Sequence, residues 1–83
     1  MKLTVRYFAS IREALGASDV VEVVPGSSVG AVRDALIAQD DAHAGALARG
    51  KALRSALNQV LCDERAVVGE GAELAFFPPV TGG

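Results

Sequence analysis

The residues of this chain best placed to do chemistry are its last ones. Val80, Thr81, Gly82 and Gly83 follow a pair of prolines, and Gly82-Gly83 is the only pair of adjacent glycines in the sequence. Pro78 and Pro79 have no N–H to give to a sheet ladder, so they end whatever strand precedes them. Glycine has no Cβ and little φ/ψ restriction, so the end of the chain is expected to be a thin, flexible tail. Its chemical asset is the α-carboxylate of Gly83. Val80 to Gly83 can span about 13 Å when extended, far enough to enter a narrow pocket of another protein. With a pKa near ~3.5, the carboxylate is an anion at neutral pH and a poor electrophile. Acyl chemistry at Gly83 therefore needs prior activation.

Nothing else in the sequence has the pattern of a catalytic site. There is no G-x-x-x-x-G-K-[ST] phosphate loop, no metal-ligand spacing and no Ser/His/Asp set. His43 stands alone in an alanine-rich stretch and is expected to be a solvated side chain. Cys62 lies within a short apolar run and is expected to be a small buried hydrophobe, without the nearby base that would make it reactive. Asp40-Asp41 and Asp63-Glu64 read as solvated loop charges. The domain is not expected to be a catalyst on its own or to bind a cofactor. Activation of Gly83 would fall to an ATP-using partner.

The composition sets the frame. Eighty-three residues with 51% apolar and 22% charged side chains make one small globular domain with a thin core. A net charge of −2 gives no reason to expect nucleic acid or an anionic membrane as partner. A single cysteine excludes an internal disulfide. The amino end alternates polar and apolar residues from Lys2 onward, with no apolar run of a signal peptide or of the ~20 residues a membrane span needs. A soluble, cytoplasmic protein is expected.

The elements follow from periodicity. In residues 2–8, Leu3, Val5 and Tyr7 share one strand face, and Lys2, Thr4, Arg6 and Phe8 share the other. Phe8 is anomalous there, an aromatic on a polar face. Ser10 and Glu13 are spaced as a capping box for a short helical turn from Ile11 to Leu15, stopped by Gly16. Val20–Val24 predicts a second strand, antiparallel to the first and ended by Pro25-Gly26. Ser27 or Ser28 caps a main helix whose stripe is Val29, Val32 and Leu36, with Arg33, Asp34 and Gln39 off it. Asp40-Asp41 caps a second short helix through about Arg49. Leu53–Leu57 and Val60–Cys62 read as strands around an Asn58-Gln59 turn. Glu73–Phe77 is the last strand, with Leu74 and Phe76 on one face and Glu73, Ala75 and Phe77 on the other.

Two strands, a helix and then more strands make an α+β domain. The size and order fit a ubiquitin-like β-grasp: a mixed sheet with one main helix packed on one face. The expected layout is a domain over residues 1–78 and a tail over residues 79–83. With the first and last strands parallel at the sheet centre, Phe8 and Phe77 become neighbours on the helix-free face, beside the exit of the tail. Together with Leu61 they form a candidate partner interface, since a contiguous exposed apolar patch marks one.

Phe76-Phe77-Pro78-Pro79-Val80-Thr81-Gly82-Gly83 resembles the ending of the molybdopterin synthase small subunits, which are ubiquitin-like sulfur carriers. Val5-Arg6-Tyr7-Phe8-Ala9 with Arg12-Glu13, and Ala56-Leu57-Asn58-Gln59-Val60-Leu61, resemble two further regions of that family. The resemblance implies that an adenylyltransferase similar to ubiquitin-activating enzymes forms an acyl-adenylate on Gly83. Sulfur from a persulfide donor then leaves a C-terminal thiocarboxylate. The acceptor it implies is cyclic pyranopterin monophosphate, held in a large subunit that also supplies the catalytic residues, in a heterotetramer. Phe8, Leu61 and Phe77 match the docking positions of that assembly. Two alternatives stay open: a sulfur carrier for thiamine or another thio-cofactor, and a ubiquitin-like protein modifier.

Overall fold

The structure is a computed structural model and describes residues 1–79. The chain runs β1 (Lys2–Tyr7), α1 (Ala9–Leu15), β2 (Ser18–Glu22), α2 (Val29–Ile37), α3 (Asp41–Ala46), β3 (Arg54–Leu57), β4 (Val60–Cys62) and β5 (Glu73–Phe77). The five strands form one mixed sheet in the order β2-β1-β5-β3-β4. β1 and β5 run parallel, with Val5 opposite Leu74 and Tyr7 opposite Phe76. The other neighbours are antiparallel. This is the expected α+β, β-grasp arrangement. Among the described residues α2 is the longest helix, at nine residues.

The core sits between the sheet and the helices. Leu3, Val5 and Tyr7 of β1 and Leu74 and Phe76 of β5 meet Val29, Val32 and Leu36 of α2, all almost fully buried. Ile11, Leu47 and Val68 close its margins. Burial of each such aliphatic or aromatic side chain stabilises the fold by about 1.5–3 kcal/mol. Asn58 and Gln59 both take positive φ, at 50° and 69°, the conformation that a two-residue hairpin turn between β3 and β4 demands.

The segment from Asp63 to Ala72 lies across the start of α2. The N–H groups of Val29 and Gly30 donate to the carbonyls of Ala66 and Glu64 at 2.9 Å each, and Val68 N–H donates to Ser27 at 2.9 Å. Gly30 permits this approach: a Cβ there would meet Glu64 Oε1 at 3.2 Å and its backbone oxygen at 3.3 Å.

Several local expectations need correction. Ser28 caps α2, accepting from Ala31 N–H at 3.1 Å, and Asp40 caps α3. Ser10 caps nothing. The turn out of β1 is immediate, Phe8 is the N-cap with extended backbone, and Ser10 already lies inside the helix. A capping side chain must come from a non-helical residue, so the Ser10–Glu13 box cannot form. β2 begins and ends two residues earlier than the valine run suggested, because pairing with β1 sets it: Arg6 opposes Ser18 and Lys2 opposes Glu22. α3 ends at Ala46, short of Arg49.

Arg33 is the largest departure. Expected off the apolar stripe, it is 3% exposed. Its Nε donates to Leu47 carbonyl at 2.8 Å, and Nη2 to the carbonyls of Ala48 at 2.6 Å and Lys51 at 3.2 Å. Nη1 reaches Glu64 Oε2 at 2.6 Å. Glu64, expected to be a solvated loop charge, is also paired with Arg49, which further binds Asp34 and the Gly30 carbonyl. Burial alone would raise the Glu64 pKa, but the two arginines outweigh it and hold the carboxyl below its usual range.

Candidate functional site

The end of β5 is where the sequence placed the chemistry, and β1 and β5 set its geometry. Their parallel register puts Tyr7 beside Phe76, both in the core. Phe8 and Phe77 come next in the two strands. Strand alternation sends each to the opposite, helix-free side. Phe8 is 39% exposed and Phe77 is half-buried. They are thus brought to the same end of the same sheet face, as expected.

Leu61 lies on that face too, but not beside them. Ala56 opposes Ala75 on one side and Leu61 on the other, so the row Arg6–Ala75–Ala56–Leu61 crosses four strands. Two alanines form the floor between the aromatic pair and Leu61, which is 66% exposed. The result is a shallow apolar saddle with phenylalanines at one end and leucine at the other. Two arginines flank it. The Arg6 guanidinium stands 5.8 Å from the centroid of the Phe8 ring, a cation–π distance, and lies 3.8 Å from Glu73. Arg54 is exposed and opposes Phe77.

Beyond Phe77 the chain passes through Pro78 and Pro79. Pro78 is half-buried and forms part of a groove of about 390 Å³, whose other walls include Ile11 and Ala14 of α1, Ala46 of α3 and Leu53. This groove is not legible in the sequence, because its walls come from three separated segments. Val80, Thr81, Gly82 and Gly83 lie outside the described residues, and so does the expected tail apart from Pro79, which is exposed.

Two residues set aside on sequence behave differently from each other. Cys62 is partly buried against the core, as expected, with its Sγ 3.7 Å from Ser55 Oγ. His43 is not solvated. It is 7% exposed and bridges two carboxylates: Nε2 lies 2.8 Å from Asp19 Oδ2 and Nδ1 lies 2.7 Å from Asp40 Oδ1. Tyr7 O–H donates to the same Asp19 oxygen at 2.8 Å, and its ring meets the imidazole edge-on. Burial disfavours the imidazolium, but the two carboxylates outweigh it and the His43 pKa is raised. Asp19 is held low chiefly by its hydrogen bond with His43. The Tyr7 hydroxyl is pushed up, first by burial and then by Asp19. Asp40 is exposed and caps α3, both as expected, and its carboxylate also pairs with His43. This cluster ties α3 to β1 and β2 on the core side of the sheet, away from the saddle.

Among the described residues no group of His, Cys, Asp or Glu is arranged to hold a metal ion, and no helix is long and apolar enough to cross a membrane.

Comparison with known proteins agrees with this architecture. The ThiS family model matches residues 5–83. A molybdopterin synthase sulfur carrier subunit from Escherichia coli is 44% identical over 98% of this chain and 99% of its own length. One from Haemophilus influenzae is 42% identical, again over 98% and 99%. Among solved structures, the small archaeal modifier protein 1 of Haloferax volcanii superposes with a TM-score of 0.76 at 27% identity, covering 95% of this chain and 98% of that one. The parallel β1–β5 pair, the single sheet under α2 and these near full-length matches agree: the chain belongs to the ThiS family, among the molybdopterin synthase sulfur carrier subunits.

Proposed function

We propose that this protein is the sulfur-carrying subunit of a molybdopterin synthase, and that the α-carboxylate of Gly83 is the group that carries the sulfur. The observation that supports this reading most strongly is the 42–44% identity, over 98% of the chain, to relatives bearing that name. In the proposed sequence, a carboxylate oxygen of Gly83 attacks the α-phosphorus of ATP on an adenylyltransferase similar to ubiquitin-activating enzymes, and pyrophosphate leaves. A persulfide donor attacks the acyl-adenylate carbonyl and expels AMP. A thiol then cleaves the remaining S–S bond and leaves a thiocarboxylate on Gly83. Two such sulfurs, delivered in a large subunit, convert cyclic pyranopterin monophosphate into a dithiolene on the way to the molybdenum cofactor. ATP belongs to the activating partner, and this chain supplies the acyl group.

The saddle supports a division of labour. Phe8, Phe77 and Leu61 give a partner an apolar surface next to the point where the chain leaves β5, so docking there brings the last residues to the partner's pocket. Gly82 and Gly83 have no side chains to obstruct a channel little wider than the backbone. In this reading Thr81 and Val80 extend the reach, and the large subunit occupies the saddle, two carriers serving a dimer of large subunits.

Mass spectrometry tests the reading. Incubation with activating enzyme, ATP and a persulfide donor is expected to add about 16 Da at the C-terminus, because sulfur replaces oxygen at an activated acyl carbon. Subsequent loss of that sulfur to cyclic pyranopterin monophosphate, only with the large subunit present, completes the test. An unchanged mass refutes it. The likeness to an archaeal modifier protein favours one other reading, attachment of Gly83 to lysines. Gly83-to-lysine isopeptides in place of the sulfur adduct would establish it.

A further inference from the structure

The arginines of this chain fall into two kinds. Arg33, Arg49 and Arg65 are each paired with carboxylates of their own chain. Arg6 and Arg54, beside the saddle, are not committed in that way. The carboxylate facing Arg6 belongs to Glu73 and stands 3.8 Å away, beyond hydrogen-bond distance. Among the described residues Arg54 has no ion pair.

The sheet places these two cations with some precision. β1 and β3 are the two neighbours of β5. Arg6 opposes Ala75 and Arg54 opposes Phe77, the last two residues of β5 that face the helix-free side. With strands spaced by about 4.8 Å, the two arginines rise from backbones about 10 Å apart across the sheet. They bracket the apolar floor at the point where the chain leaves β5. The Arg6 guanidinium is held beside the Phe8 ring at the cation–π distance of 5.8 Å. This concentration of positive charge is local, on a chain whose formal net charge is −2.

Building on the sulfur-carrier reading, in which the large subunit occupies the saddle, we propose that Arg6 and Arg54 are specificity-determining residues of that interface, and that the surface covering the saddle carries carboxylates opposite them. Desolvation gives the reason. A partner that covers Phe8 and Phe77 also takes water from the two guanidinium groups beside them. A cation buried without a counter-charge is strongly unfavourable. Carboxylates on the partner remove that cost, and the planar guanidinium fork accepts them in a defined orientation. A partner with apolar or basic groups at those two places is rejected, so the arginines select among surfaces that the phenylalanines alone would accept. The same charges speed encounter with an acidic surface.

The test measures binding to the large subunit, by stopped flow for the association rate and by calorimetry for affinity, at about 0.05 M and about 0.5 M salt. The variants are Arg54→Gln, Arg54→Glu and the Arg6→Glu/Arg54→Glu double variant. Lys2→Glu is the control, because it makes the same charge change on the same strand face at the far end of β1. Arg54 is exposed, so its variants should melt near the wild-type temperature. Arg54→Glu is expected to associate about tenfold more slowly at low salt, with Arg54→Gln between it and wild type and the double variant slower still. The gap in association rate should narrow at high salt, and Lys2→Glu should bind like wild type. Normal rate and affinity for Arg54→Glu overturn the proposal, since the arginines would then only keep an apolar face soluble. Equal losses for Lys2→Glu overturn it by making net charge the cause. Equal losses for Arg54→Gln and Arg54→Glu, the same at both salts, overturn it by making packing the cause. Normal binding to the large subunit with loss of thiolation by the activating enzyme would assign the arginines to that other partner and likewise overturn it. If wild-type protein does not bind the large subunit at all, the sulfur-carrier reading itself falls and takes this inference with it.

Discussion

The buried histidine yields a prediction with a defined sign. His43 is a hydrogen-bonding bridge between Asp19 and Asp40, at 2.8 Å and 2.7 Å. Its raised pKa means that the folded state holds the proton more tightly than the unfolded chain. The stability this adds is full below the unfolded histidine value of 6.5 and is lost as pH rises through the folded value. For the aspartates the sign is opposite. Their pKa values are lowered, so their contribution is full above the unfolded value of 3.8 and is lost as pH falls through the folded values. Stability should therefore be greatest from roughly pH 4 to 6.5 and decline on the alkaline side.

The size of the alkaline decline follows from valence. A neutral imidazole carries one hydrogen on two nitrogens. Above its pKa, His43 can donate to only one carboxylate and turns a lone pair toward the other. Asp40 is half-exposed and water can replace its bond, so the tautomer that keeps the Asp19 bond is the favoured one. Even that bond weakens from charge-assisted to neutral-donor strength, a loss of about 1 kcal/mol. In a domain of this size that lowers the melting temperature by about 4–8 °C. Calorimetry at pH 5.5 and 8.5 measures it, and His43→Asn, which has no titrating ring, is expected to abolish the difference. A flat wild-type profile, or the same slope in His43→Asn, refutes the assignment of the proton to this bridge.

Three further outcomes are expected. Phe77→Ala should weaken binding to the large subunit by about thirtyfold, equivalent to ~2 kcal/mol for an interface anchor, with little loss of thermal stability; a collapse in melting temperature at unchanged affinity would place Phe77 in the core. Arg33→Ala should cost about 2–3 kcal/mol in urea denaturation, because it leaves three carbonyls without their side-chain donor, while the part-exposed Glu64 keeps Arg49; a loss under ~1 kcal/mol would mean that water takes its place. Deleting Gly83 should leave melting unchanged and prevent thiolation, since it draws the carboxylate back by about 3.3 Å; normal thiolation of that variant would end the sulfur-carrier reading.

The features legible in the sequence were those written in periodicity. Leu3, Val5 and Tyr7 alternate, Val29, Val32 and Leu36 recur at helical spacing, and both sets are buried as expected. The aromatic pair was legible because Phe8 and Phe77 each break a polar alternation at the same end of parallel strands. Arg33 was missed although a signal existed: it lies at i+4 from Val29, on the apolar stripe that Val32 and Leu36 continue. Charge argued against burial, and the partners that satisfy it lie 14 to 31 residues away. His43 carried a weaker signal. The Asp40-x-x-His43 spacing permits a local contact that was not drawn from it, and Asp19, 24 residues distant, is brought to His43 only by the register of β2 on β1. The Ser10 box failed for the opposite reason, since a valid local pattern was overridden by a turn that starts the helix too early.

The polar groups that the sequence hid bear on function through where they stand. Ala46 belongs to α3 and lines the groove beside Pro78. α3 is short, six residues, and too small to hold its place by propensity or by its own buried area. His43 binds it to β1 and β2, and Arg33 binds the segment just after it to α2 and to the Asp63–Ala72 crossing. Both clamps lie on the core side, leaving the helix-free face with its apolar saddle. A domain with a thin core needs such ties to keep the groove in one shape. Loosening α3 should therefore blur the direction in which the chain leaves β5 while leaving the saddle intact. His43→Ala assayed below its melting transition should accordingly keep its affinity for the large subunit and lose turnover. A parallel loss of both would mean that α3 supports the saddle as well, which the strand register gives no physical reason to expect.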